Sequence, residues 1–166
     1  EGVLDIVKDG PSSAFHGDLV TYAYAVTYSS VDGAPATNVD VTDDKCGPVT
    51  FTGGDTDGDG YLDVDETWLF ECTYSVPGHV DGEEDPIVNV ATVTGDDWDG
   101  DPLDPARDDH SVDVVHDEGV LDIVKDGPSS AFHGDLVTYT YAVTYTSSDG
   151  APAQNVDVTD DKCGPV

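Results

Sequence analysis

Apolar and polar residues alternate along this chain with a period of two, the repeat of a half-buried β-strand. The alternation is clearest over residues 19–28. Val20, Tyr22, Tyr24, Val26 and Tyr28 share one face there, and Leu19, Thr21, Ala23, Ala25 and Thr27 share the other. The same pattern predicts strands at residues 3–7, around Val39 and Val41 (with Asp40 and Thr42 outward), and at 49–52, 67–76, 87–94 and 111–115. Gly10, Pro11, Ser12 and Ser13 read as a turn, and so do Asp32 and Gly33. No segment carries a helical period of useful length. Seven short strands with regular turns in about 115 residues predict an all-β fold, an Ig-like two-sheet β-sandwich.

The pattern then starts again. Residues 118–166 repeat residues 1–49, differing at Ala23/Thr140, Ser29/Thr146, Val31/Ser148 and Thr37/Gln154. The period of 117 residues is that of a domain, not of a solenoid unit. This divides the chain into a complete repeat, residues 1–117, and the first part of a near-identical one, residues 118–166. Ala23/Thr140 falls on the face of its strand that should be exposed. The second copy has no counterpart of the later strands, so it is expected to be completed by further chain in a tandem array or, less favoured, by a neighbouring subunit. Glu1 is no translation start, which predicts a processed or excerpted product. No Pro-, Gly- or Ser-rich linker separates Val115 from Val120, so adjacent repeats should be stiffly coupled.

Charge narrows the function. With 36 acidic residues against 5 basic ones, the formal net charge is −31. Lys8, Lys45, Arg107, Lys125 and Lys162 cannot build a basic patch, which excludes nucleic acid and disfavours an anionic membrane surface. No apolar run is long enough to span a bilayer. Such charge repels itself in a compact chain unless cations offset it. That points to high salt or to an extracellular space with divalent ions.

One stretch offers a place for those ions. Residues 55–66, DTDGDGYLDVDE, fit the calcium-loop pattern D-x-[DN]-x-[DN]-G-x5-E without mismatch. Asp55, Asp57 and Asp59 occupy positions 1, 3 and 5, and Gly60 the sharp turn at 6. Tyr61 would give its carbonyl at 7, Asp63 a direct or water-bridged oxygen at 9, and Glu66 two oxygens at 12. Ca2+ is a hard ion that takes six to eight oxygens, which this spacing wraps around it. The flanks alternate as strands, which argues against a sensor that opens helices. The competing reading is an acidic surface turn.

Cys46 and Cys72 flank this loop. A disulfide between them would close about 27 residues and contribute about 3–4 kcal/mol in the chain-entropy model, and it implies an oxidising compartment. The alternative is a pair of buried thiols. Cys163 repeats Cys46, and its partner is expected beyond Val166.

The segments GDLVTYAYAVTY (residues 17–28), NVDVTDDKCGPV (38–49), ETWLFECTYSV (66–76) and NVATVTG (89–95) resemble the "conserved repeat domain" modules of bacterial and archaeal surface proteins. The loop is also similar to those in the B repeats of Gram-positive serine-aspartate adhesins, where calcium stiffens a stalk. The resemblance implies an Ig-like extracellular domain in stalks, adhesins or envelope fibres, without enzymatic activity.

Several other residues carry weaker expectations. Asp96, Asp97, Asp99, Asp101, Asp104, Asp108 and Asp109 crowd a turn-rich stretch and could form a second calcium site, with Asp43 and Asp44 as further candidates, or a solvated loop. Lys8 and Asn89 fall in the first and penultimate strands. Some surface-protein sandwiches join such a pair by an isopeptide bond with a buried carboxylate as catalyst, although no carboxylate partner is legible here. The bland alternative has Lys8 exposed and Asn89 hydrogen-bonding. His16, His79, His110 and His116 are scattered through loops and strand ends and match no zinc or catalytic motif. Trp68, alternating with Phe70, should be core; Trp98 should cover an interface or offer a ligand platform. The expected function is mechanical: a repeat of an extracellular fibre or cell-surface stalk, partnered by adjacent repeats or by subunits of a filament. The alternative is an adhesin-type module binding glycan or protein through its acidic loops.

Overall fold

A computed structural model describes residues 2–116 and 119–166. The chain forms two units, residues 1–115 and 116–166. The first contains β1 (Val3–Asp9), β2 (Ser13–Phe15), β3 (Leu19–Ser29), β4 (Thr37–Asp43), β5 (Thr50–Gly53), β6 (Thr67–Ser75), β7 (Ile87–Asp96) and β8 (Ala106–Val115). The second contains β9 (Val120–Asp126) and β10 (Thr140–Thr146). Among the described residues no helix is long and apolar enough to cross a membrane.

The first unit is built from two four-stranded sheets, ordered β1-β3-β6-β5 and β2-β8-β7-β4. Strand β3 is the axis of the first sheet: Tyr24 lies opposite Lys8 on β1 and opposite Phe70 on β6. The alternation of β3 is realised residue by residue, with Val20, Tyr22, Tyr24, Val26 and Tyr28 all buried. They meet Leu4 and Ile6 of β1, Trp68, Phe70 and Cys72 of β6, and Val93, Val112 and Val114 of the second sheet in one core. Each such side chain removed from water stabilises the fold by roughly 1.5–3 kcal/mol before conformational entropy is counted.

The structure corrects the expected strand set in two places. Ser13, expected in a turn, opens β2, which pairs parallel to β8. A three-residue strand with one buried side chain, Ala14, is too short for periodicity to reveal. Strand β8 begins at Ala106 rather than residue 111 and so includes part of the acidic stretch. Its inward positions there are Asp108 and His110, so no apolar alternation marks them. Asp108 accepts a hydrogen bond from the Lys8 amide at 2.7 Å, and His110 reaches the Pro11 carbonyl at 3.0 Å.

In the second unit β9 and β10 pair antiparallel, with Lys125 opposite Tyr141 as Lys8 is opposite Tyr24. All of β9 is exposed.

Candidate functional site

The acidic loop runs from β5 to β6, and three features fix its path. Gly54 sits where a Cβ would lie 2.0 Å from the Thr67 carbonyl oxygen, so only glycine allows the chain to pass β6 at that distance. Gly60 has φ +81°, the left-handed turn that sixth position requires. Leu62 is fully buried and exchanges two backbone hydrogen bonds with Ala36, at 3.0 and 2.9 Å. The apolar eighth position thereby anchors the loop to the core.

Asp55, Asp57 and Glu66 bring carboxylate oxygens within 4.8 Å of one another, as do Asp57, Asp59 and Asp63. Asp57 belongs to both groups, and each group could hold a metal. Asp55 accepts hydrogen bonds from the Gly58 and Gly60 amides at 2.7 and 3.1 Å, and Asp59 accepts one from Tyr61 at 2.8 Å. These side chains are thus held in place by amides of the loop's own backbone. Glu66 is buried, and its oxygens accept from the Thr56 amide and hydroxyl, at 2.6 and 2.7 Å, and from Trp68 Nε1 at 3.1 Å. The two Thr56 hydrogen bonds bring the Glu66 pKa down to about 2. Desolvation and then the carboxylates of Asp59, Asp57, Glu66 and Asp65 push that of Asp63 up. This is the repulsion a bound cation would relieve. Trp68 is therefore both core residue and donor. Its role was legible only as core, because periodicity says nothing about where an indole N–H points.

The disulfide Cys46–Cys72 is present, with Cα atoms 6.0 Å apart. It ties the segment after β4 to β6, on either side of the acidic loop in the chain.

Lys8 is not the exposed strand residue of the bland reading. It is 5% exposed and lies on the face of β1 that buries Leu4 and Ile6. Its Nζ donates to Asp43 Oδ2 at the end of β4 and to Asn89 Oδ1 on β7. Asp43 also accepts from the Tyr24 hydroxyl at 2.8 Å and from the Lys45 and Cys46 amides at 3.0 and 2.8 Å. The Tyr22 and Tyr24 rings flank the ammonium, with centroids 4.1 and 5.0 Å from Nζ. Burial pushes the Lys8 pKa down against the pull of Asp43. Burial, with the nearby Asp43 charge, pushes the Tyr22 phenol up to about 12. The carboxylate in contact with Lys8, which the sequence does not disclose, is Asp43.

The second acidic stretch is dispersed. Asp96 accepts from Asn38 Nδ2 at 2.8 Å, and Asp97 closes a turn by accepting from the Asp99 and Asp101 amides at 3.0 and 2.9 Å. Asp108 faces β1. Among the described residues these carboxylates, with Asp104, Asp109, Asp43 and Asp44, are not gathered into a metal-sized group. The histidines are less scattered than expected. His16 Nε2 and His79 Nδ1 lie 3.1 and 3.2 Å from one oxygen of Glu83, and the His16 ring is oriented by a contact of its Nδ1 with the Pro77 carbonyl at 2.8 Å. This group could also hold a metal. Nothing in the spacing of residues 16, 79 and 83 announces it, because two loops far apart in the chain supply the ligands. Trp98 is 55% exposed and packs edge-to-face on Tyr61, ring centroids 5.3 Å apart.

No family model matches the chain, and no curated protein does. Among solved structures it is distantly similar to a point mutant of the SrpA adhesin from Streptococcus sanguinis. The identity is 13% and the TM-score 0.39, over 68% of this chain and 58% of that one. The chain thus spans less than two thirds of that protein's length, and a likeness this distant carries no functional argument.

Proposed function

We propose that the chain is a structural repeat of an extracellular fibre or cell-surface stalk: an Ig-like sandwich rigidified by Ca2+ and by its disulfide. The observation that carries this reading is the loop of residues 55–66. Its carboxylates fall into two metal-sized groups that share Asp57, while its eighth residue is hydrogen-bonded into the core. An all-oxygen, carboxylate-rich cage suits a hard cation, and calcium tolerates its irregular geometry better than magnesium does. Binding would remove the repulsion among the aspartates and tie the β5–β6 connection to the folded state. The disulfide requires an oxidising compartment, in keeping with the cell surface. The partners in this reading are adjacent repeats of the same chain or neighbouring subunits in a filament.

Thermal unfolding of the chain with calcium and with EGTA, at fixed ionic strength, tests the proposal. Calcium at a hundredfold excess over Kd should stabilise the fold by about 2.7 kcal/mol. Asp55→Ala and Glu66→Gln should abolish the difference. A midpoint that ignores calcium would leave screening by salt as the source of stability and remove the loop from the argument.

The exposed Tyr61–Trp98 pair favours a second reading, an adhesin-type module that recognises glycan or protein through the acidic loops. Such a module should bind members of a glycan or extracellular-matrix protein array and lose that binding in Trp98→Ala. A spacer should bind none.

A further inference from the structure

Lys8, Asp43 and Asn89 form a buried polar group whose composition stability does not explain. The Lys8 and Asp43 side chains are completely screened from solvent, and Asn89 is 0% exposed. An ion pair in such a place is commonly no better for stability than apolar residues of the same volume, because desolvation consumes the Coulombic gain. The group does combine three chemical parts in contact. Lys8 brings a primary amine and Asn89 a carboxamide that the amine touches through its carbonyl oxygen. Asp43 brings a carboxylate on the same nitrogen. Tyr24 and the amides of Lys45 and Cys46 hold that carboxylate in place. The Asn89 amide nitrogen makes no well-formed hydrogen bond. An amide nitrogen so loosely held is free to depart.

We propose that Lys8 Nζ and Asn89 Cγ become joined by an amide bond, with Asp43 as the catalytic residue that moves the protons. Asp43 takes a proton from the Lys8 ammonium, and the freed amine attacks Asn89 Cγ. The protonated Asp43 then delivers its proton to Nδ2 in the tetrahedral intermediate. The C–Nδ2 bond breaks as the carbonyl reforms, ammonia leaves, and Asp43 accepts the remaining proton from the new amide nitrogen before passing it to ammonia. One C–N bond forms, one breaks, and ammonium is the only other product; no oxidant or cofactor is needed. Folding supplies the rate, since it holds amine and amide in contact in a water-poor site.

The bond would run from β1 in one sheet to β7 in the other. Tension along the chain would then bypass residues 9–88. This inference is independent of calcium. In the second unit Lys125 pairs with Asp160, which accepts from the Tyr141 hydroxyl at 2.7 Å.

The test is the intact mass of the chain, disulfide reduced and unfolded in acid. We expect a single loss of about 17 Da, the mass of ammonia, as covalent amide formation requires. Proteolysis at acidic residues should release one branched peptide joining the segments around Lys8 and Asn89. Lys8→Arg and Asn89→Ala should restore the full mass. The isosteric Asp43→Asn should restore it too while keeping the Cys46–Cys72 disulfide and the β-sheet circular dichroism. The wild-type mass needs no variant to fold: an unmodified chain overturns the proposal. A loss that persists in Lys8→Arg also overturns it, since it would come from cyclisation at an asparagine. A loss that persists in Asp43→Asn removes Asp43 from the catalytic role.

Discussion

Residues 1–49 and 118–166 are nearly the same sequence in two surroundings, and they share their local structure but not their burial. The β1–β3 and β9–β10 ladders have the same register. Asn38 and Asn155 both adopt a left-handed backbone, with φ 51° and 53°. Asp43 and Asp160 each gather a lysine, a tyrosine hydroxyl and two backbone amides, the second pair of amides being those of Lys162 and Cys163 at 2.8 and 2.9 Å. Yet Leu4 and Ile6 are each 3% exposed, while Leu121 and Ile123 are 54% and 52% exposed. Hydrogen-bonded turns and a hairpin register need only the residues that make them. A core needs a second layer, and in the first unit residues 50–115 contribute β5 to β8. A two-stranded ladder without such cover is marginal in water.

The largest effects should separate the two copies at their apolar positions. Leu4→Ala leaves a cavity beneath β3 and should cost about 2–5 kcal/mol in urea unfolding followed by Trp68 fluorescence. Leu121→Ala, the same change one period later, should stay within about 0.5 kcal/mol, as exposed substitutions do. Equal costs would break the comparison, because they would mean that Leu121 is covered in solution.

The same contrast explains what could be read in advance. The strands with strict alternation, β3 and β6 above all, were legible because each inward position is apolar and each buried residue meets the same core. The acidic loop was legible because its grouped carboxylates all lie within twelve residues and their spacing is set by the backbone. Asp43 was not. It is one of 36 acidic residues, and what distinguishes it is contact with a lysine 35 positions before it, which in turn reaches Asn89. That is a property of how two sheets face each other, which no local pattern encodes. The inward Asp108 and His110 of β8 hid that strand's first half for a related reason: polar residues facing inward mimic a loop until their partners, Lys8 and Pro11, are known. His16, His79 and Glu83 belong to the same class, brought together by loops whose paths the strands determine.

The smallest expected effect is the sharpest test of how the two copies differ chemically. The Lys125 hydrogen bond, then the Tyr141 hydroxyl and two amides, hold the Asp160 carboxyl well below the usual range. For Asp43, burial works upward, but the Lys8 ammonium, the Tyr24 hydroxyl and two amides outweigh it, and the pKa is lowered. If Lys8 becomes an amide, its charge is gone and the balance at Asp43 moves back toward burial, while Asp160 keeps its lysine. Carboxyl NMR titration should therefore place Asp43 at a higher pKa in the wild-type chain than in Asn89→Ala, with Asp160 unchanged between them. The sign for stability follows from linkage. A carboxyl lowered by folding contributes stability that is present above its unfolded value, about 3.9, and is lost as pH falls through the folded value. Asn89→Ala, with Asp43 paired to a charged lysine, should lose more stability below about pH 4 than the wild-type chain does. Identical Asp43 titrations in the two chains would mean that Lys8 keeps its charge, and the two copies would then differ in burial alone.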